Sequence, residues 1–175
     1  MDQGWKGKLV NFVWFQTIWF CAIVFENQFL WLMLFLIVGY IAVLPCRLQS
    51  VIFGVAIGLY GVLVDGTLAA LGFYQFSAEV SALIPLWLVV LWVAFGYMLR
   101  ISLTYLRDRY LLAAFLGAVS GPLSYFAAAK LGAVTFLFPT AMTLVVIAFI
   151  WAFTVPLWLY IDVWQQKRFA PIQYN

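Results

Sequence analysis

A chain of 175 residues that is 67% hydrophobic and 9% charged, with a mean hydropathy of +1.08, is far more apolar than a soluble domain, in which about half the residues are apolar and about a quarter charged. Its length predicts one domain, 1–175, with no room for a soluble catalytic appendage. The net charge of +3 is carried by Lys and Arg scattered singly or in pairs between apolar runs, which excludes a phosphate-tracking nucleic-acid surface; the absence of histidine removes the commonest metal ligand and acid–base catalyst.

A bilayer-crossing helix needs about 20 mostly apolar residues. Six stretches qualify: Leu9 to Phe25, Phe29 to Leu44, Val51 to Leu71, Leu83 to Leu106, Leu111 to Ala129, and Phe138 to Ile161. They predict an all-α integral membrane protein with six transmembrane helices. The first stretch follows Lys6 and Lys8 as a signal sequence would. No small-residue cleavage site follows it, and Trp19-Phe20 before Cys21 is too bulky for a lipoprotein site, so it reads as a retained helix. Only Glu26-Asn27-Gln28 joins the first two stretches, which predicts a tight helical hairpin. Cys21 and Cys46 fall in apolar segments at different depths, which predicts packing roles without a disulfide.

Basic residues set orientation. With the N-terminus inside, Lys6, Lys8, Arg47, Arg107, Arg109, Lys167 and Arg168 are cytoplasmic, while Glu26, Glu79 and Lys130 lie outside. Both termini are then cytoplasmic. Trp5, Trp31, Trp87, Trp158 and Trp164 near the predicted boundaries read as interfacial anchors.

Polar groups inside a bilayer are costly and mark function or specific packing. In the third stretch Gly54, Gly58, Gly61, Asp65 and Gly72 fall within about 60° of one another around the helix. The glycines read first as a close-packing face, but packing alone does not require a carboxylate. Asp65 stands roughly 24 Å from the cytoplasmic end at about 1.5 Å per residue, a height that Lys130 also reaches. An Asp65 to Lys130 ion pair is one expectation. The other is an outward-snorkelling Lys130 with Asp65 hydrogen-bonded between helices. Arg100, near the cytoplasmic end of the fourth stretch, predicts snorkelling to phosphate headgroups ahead of a specific anionic contact.

The fifth stretch carries Gly117, Gly121, Ser124 and Ala128 on one face, with Tyr125 beside it, and Gly121-Pro122 predicts a mid-span kink. Asn11, Gln16 and Thr17 on the first stretch, and Thr140, Thr143, Thr154 and Asp162 on the sixth, add further polarity. The candidate pocket therefore comprises Asp65, Asn11, Gln16, Ser124 and Tyr125, with Lys130 and Arg100 as charged neighbours. No Gly-rich phosphate loop, metal-spaced Asp pair or nucleophile elbow occurs. The expectation is no cofactor, no metal and no conventional enzyme, and an Asp65-based intramembrane enzyme would lack a second catalytic group. Three helices set against three show no internal repeat.

Asn11-Phe12 with Phe15-Gln16 and Trp19, Asp65 in a glycine-rich third helix, Trp92 with Phe95, Ser102-Leu103, Gly121-Pro122-Leu123-Ser124-Tyr125 and Lys130-Leu131-Gly132-Ala133 together resemble the bacterial domain-of-unknown-function family 2878 over nearly the whole chain. Arg100-Ile101 departs from the Asn-His that members often carry there. The resemblance implies a small multi-pass protein of the bacterial inner membrane, with some relatives encoded near lipid-modifying methyltransferases. A fainter likeness in helix number and length is to substrate-binding components of vitamin transporters and to a rod-shape protein of the membrane. Two functional readings follow. One is a module that binds or transports a small amphiphile or lipid; the other is a non-catalytic partner or scaffold for a lipid-modifying membrane enzyme, assembled through the glycine faces and cytoplasmic basic residues.

Overall fold

The computed structural model describes residues 4–44, 47–77 and 83–168, so Cys46 and Glu79 lie outside the described residues. The apolar runs are helical: α1 Trp5–Phe25, α2 Leu30–Val43, α3 Arg47–Ala70, α4 Leu86–Ile101, α5 Tyr110–Lys130 and α6 Thr140–Arg168. Two short strands, β1 Tyr74–Phe76 and β2 Val134–Phe136, follow α3 and α5. The described residues are all-α apart from this ribbon. Four helical stretches, Trp5–Val43, Arg47–Ala70, Tyr110–Lys130 and Thr140–Arg168, are long and apolar enough to cross a bilayer.

The first of these, 39 residues long, is not a straight rod. It folds back through a 3-10 turn at Glu26–Phe29, so that Asn11 Nδ2 donates to the Tyr40 hydroxyl at 2.8 Å and Trp14 Nε1 donates to the Leu36 carbonyl at 3.3 Å. The Trp14 and Tyr40 rings stack 4.3 Å apart. The hairpin expected from Glu26-Asn27-Gln28 is therefore present. Its turn also serves the neighbouring helix: Asn27 Oδ1 accepts from the Trp87 backbone N–H at 3.3 Å, one of the donors that a helix N-terminus leaves without an intrahelical partner.

The fourth expected segment, Leu83 to Leu106, is corrected to the 16 residues of α4. Pro85, whose fixed φ suits the entry to a helix, precedes its first residue. At the other end the Ser102 hydroxyl donates to Lys8 O at 2.7 Å and to Asn11 Oδ1 at 2.6 Å, and the chain turns into a short 3-10 segment. Most of α4 is buried, including Trp87, Trp92, Phe95, Tyr97 and Leu99, as suits a helix that is apolar all round. It is the central post against which α1, α2, α3 and α6 pack.

The structure shows a correspondence that setting three helices against three does not address. α3 with β1 and α5 with β2 are the same device, with matching positions 60 residues apart: Gly61 and Gly121, Asp65 and Tyr125, Gly72 and Gly132. Gly72 and Gly132 adopt positive φ of 81° and 90°. Each closes its helix with the paired backbone bonds of a Schellman turn, Phe73 N–H to Leu68 O and Gly72 N–H to Ala69 O in one, Ala133 N–H to Ala128 O and Gly132 N–H to Ala129 O in the other. The strands they release pair antiparallel with Gln75 opposite Thr135. Gly61 and Gly121 make room for an indole: a Cβ at either would stand inside the ring of Trp92 or Trp151, respectively. The two indoles stack 5.3 Å apart at 21°, joining the halves.

Both glycine faces are thus filled within the chain, that of α3 by Tyr97, Val93 and Trp92 and that of α5 by Trp151 and Val155. α5 stays helical through Gly121-Pro122, as transmembrane helices tolerate when neighbours satisfy the freed groups. Cys21 is buried with a free thiol.

Candidate functional site

Asp65 is fully buried, on the last third of α3 where the glycine face lets α4 approach. Three side chains donate to it. The Tyr74 hydroxyl reaches Oδ1 at 2.6 Å, Trp92 Nε1 reaches Oδ2 at 2.7 Å, and the Tyr125 hydroxyl bonds Oδ1 as well. The local folding that supplies them is explicit. The Schellman turn at Gly72 swings Tyr74 back over the end of α3, Gly61 lets Trp92 lie against the helix, and Tyr125 comes from the repeat-related position on α5. All three partners donate and none is charged, the arrangement that suits an acceptor-only carboxylate.

Tyr125 and Trp92 form part of the wall of a cavity of about 60 Å³, shared with Ser124, Trp19, Trp87 and Trp151. Beside it runs a larger groove of about 410 Å³, between α1 and α5, edged by Phe12, Gln16, Ser120 and Leu123 and floored by Phe95 and Trp151. Phe12, Gln16, Ser120 and Leu123 are all exposed, so the groove opens on the outer face of the bundle. Trp19 Nε1 donates to Ser124 Oγ across it at 2.9 Å. Trp19, Ser124, Phe15, Phe95 and Trp151 line both spaces, so the smaller chamber and the larger groove adjoin at that hydrogen bond.

Of the residues expected at the pocket, the structure brings together Asp65, Tyr125 and Ser124, with Gln16 farther out on the groove. Asn11 belongs elsewhere. It is buried at the opposite end of the bundle, where it ties Tyr40 to Ser102. No ion pair joins Asp65 and Lys130. Both oxygens of Asp65 are taken by neutral donors, while Lys130 is exposed, its ammonium 5.3 Å from the centre of the Phe126 ring.

Arg100 does not snorkel. Its side chain is only 9% exposed and its Nε sits 2.9 Å from Asp162 Oδ1; Nη1 donates to Gln49 O at 3.1 Å, and the guanidinium lies 4.9 Å from the centre of the Phe53 ring. Arg107 Nη2 completes the cluster at 2.7 Å from Asp162 Oδ2. The physical reason is that α6 continues to Arg168, seven residues beyond the expected Ile161, and so carries a buried carboxylate alongside Arg100. Arg100 and Asp65 do not pair, as their expected difference in depth required.

Tyr74, Trp92, Trp151 and Trp19 were not named as pocket residues by sequence reasoning. The 60-residue spacing of Leu71-Gly72 and Leu131-Gly132 was the signal that would have placed Tyr74 over Asp65. Among the described residues no three His, Cys, Asp or Glu side chains gather as a metal site would require. The family model described as "Protein of unknown function (DUF2878)" matches residues 8–157, a span that takes in the groove, the chamber and the Asp65 cluster. No curated protein and no solved structure matches the chain.

Proposed function

The chain belongs to the DUF2878 family, and from that premise we propose that it is a six-span protein of the bacterial inner membrane, with both termini in the cytoplasm, that takes up a small amphiphile or lipid from the bilayer. The carrying observation is that two spaces adjoin, sharing Phe15, Trp19, Phe95, Ser124 and Trp151 as walls. A groove that opens toward the lipid-facing side between α1 and α5 leads inward, past the Trp19–Ser124 hydrogen bond, to a chamber backed by a buried carboxylate. Its volume of about 410 Å³ falls within the range of ordinary small-molecule sites, about 300–1,000 Å³. A chain entering from the side needs no aqueous route.

The six-span topology rests on the hairpin at Glu26–Phe29 and on the end-to-end sorting of side chains. Lys8, Gln49, Arg100, Arg107 and Asp162 meet at one end of the bundle, whereas Glu26, Asn27, Ser77 and Trp87 meet at the other. The basic end faces the cytoplasm by the positive-inside rule. The scaffold reading is weakened by the glycine faces, which α4 and α6 already fill.

Native mass spectrometry of the full chain, released gently from its own membrane, tests the proposal. We expect a stoichiometric adduct beyond detergent, lost when Ser120→Trp fills the exposed edge of the groove. A wild-type protein that flies empty, or carries only another polypeptide, would end this reading in favour of the scaffold.

A further inference from the structure

We propose that the inner chamber selects a positively charged head, of the alkylammonium class, so that the ligand is a single-chain or lipid amphiphile carrying a quaternary or alkylated amine. This rests on the reading of the groove just given and specifies what its inner end recognises.

The chamber has aromatic walls. Eight of its 14 lining residues are Trp, Phe or Tyr, among them Trp19, Trp87, Trp92 and Trp151. Ring faces attract cations within about 6 Å of their centroids, and tryptophan does so best. Three of the polar hydrogens on these walls are committed elsewhere, Trp19 Nε1 to Ser124 and Trp92 Nε1 and the Tyr125 hydroxyl to Asp65, while the buried Trp87 Nε1 has no partner. Behind that wall stands a carboxylate with no lysine or arginine partner among the described residues; the ion pairs there involve Asp162. Hydrogen bonds from Trp92 and Tyr125 to Asp65 tie the negative group to the walls themselves.

An anionic head would meet the reverse. No lysine or arginine lines the chamber, and Ser124 supplies the one aliphatic hydroxyl, already engaged by Trp19. A phosphate or sulfate would exchange water for aromatic carbon with a buried carboxylate close by, and the single unpartnered indole N–H of Trp87 does not replace the several donors such an anion loses. Size agrees as well. A water needs about 10–15 Å³ of such space, so a chamber of about 60 Å³ holds roughly four water-sized groups, comparable to the methyl shell of a trimethylammonium. The layout also fits a lipid's posture. The chamber is edged by Ile23, Phe76, Trp87 and Val134 at the ribbon end of the bundle, whereas the groove runs from it toward Phe12 and Met98, nearer the opposite end. A head near one interface with its chain pointing inward is how an amphiphile already lies in that leaflet.

The test uses the full chain in a neutral maltoside micelle and labelled dodecyltrimethylammonium as probe, with dodecanol and dodecyl sulfate of the same chain length as competitors. The expected result is saturable binding of the cation, with dodecanol competing roughly tenfold less well and dodecyl sulfate less well again. Asp65→Asn should lose about tenfold in affinity for the cation, a larger loss than the same variant shows for dodecanol. Should that variant not fold, the head-group order measured on the wild-type chain still decides the matter. Equal competition by all three heads overturns the alkylammonium assignment and leaves the groove as a chain-binding site. Absence of saturable binding for all three overturns the amphiphile-binding proposal itself.

Discussion

Asp162 and Asp65 are both fully buried, one toward each end of the bundle, and their surroundings differ in kind. Asp162 meets two guanidinium groups, Arg100 at 2.9 Å and Arg107 at 2.7 Å, and the amide of Gln166. Asp65 meets two phenols and an indole. A paired charge in low dielectric is satisfied by its own chain and fixes which helices lie together. A carboxyl group held by neutral donors has no ion partner, and a polar group so placed among apolar helices is expected where it serves a ligand, a proton or an ion. Two aspartates of equal burial thus divide the work, one tying α4, α6 and the segment after α4 into a single end, the other joining α3, α4, α5 and β1 through neutral hydrogen bonds.

The largest effect that would break this division is at Asp162. Asp162→Ala leaves Arg100 buried without its carboxylate, and removing one partner of a buried pair costs about 3–5 kcal/mol. Thermal unfolding in micelles should show a large loss of stability, partly recovered when Arg100→Met is added to remove the stranded cation. A single variant that melts with the wild type would mean that Asp162 is not the tie described here.

Next in size is Gly61→Ala, which presses a methyl into the Trp92 ring and should cost about 1–3 kcal/mol by overpacking. Gly39 sits in α2 with nothing within 4 Å of an added Cβ; Gly39→Ala should instead stabilise by about 0.5–1 kcal/mol through helix propensity. The pair separates crowding at the Asp65 site from a general effect of glycine replacement. Equal melting shifts for the two would sever Gly61 from that site.

Asp65→Asn comes third in the comparison. Its amide can still accept from Tyr74 and Tyr125 through oxygen but must turn an NH₂ toward the Trp92 N–H, and a buried donor left unsatisfied costs about 1–3 kcal/mol. The loss should therefore be smaller than that of Asp162→Ala, measured in the same unfolding assay. The reverse order would make Asp65 the principal structural tie and remove the distinction between the two carboxylates.

How much of this was legible depended on the range of the interaction. Helix positions came from apolar run length, and the α1–α2 hairpin from three polar residues between two such runs, because both are local properties. The ribbon did not, since Tyr74–Phe76 and Val134–Phe136 are three residues each and carry no readable alternation. The repeat was present in the letters, as Leu71-Gly72 and Leu131-Gly132, but each unit is one helix with its strand, so a comparison of three helices against three passes over it. Asp65 and Tyr125 stood out as intramembrane polar groups and proved to be bonded. The partner of Arg100 was harder to see: Asp162 lies 62 positions away, and only the packing of α6 on the central helix brings the two together. Charge spacing along a chain predicts partners within a helix, not between helices whose rotation is unknown.

The smallest effect sharpens the same point, because Lys130 is the cation that depth alone would give to Asp65. Lys130→Gln removes an exposed ammonium lying over Phe126, and surface substitutions away from specific contacts stay within about 0.5 kcal/mol. It should change neither the unfolding temperature by more than a degree or two nor the affinity for a cationic amphiphile. If Asp65 instead drew stability from that lysine, Lys130→Gln would match the loss seen in Asp65→Asn, and the double variant would cost no more than either alone. Additive losses, with almost all of the sum coming from Asp65, are what neutral donors around an unpaired carboxylate require.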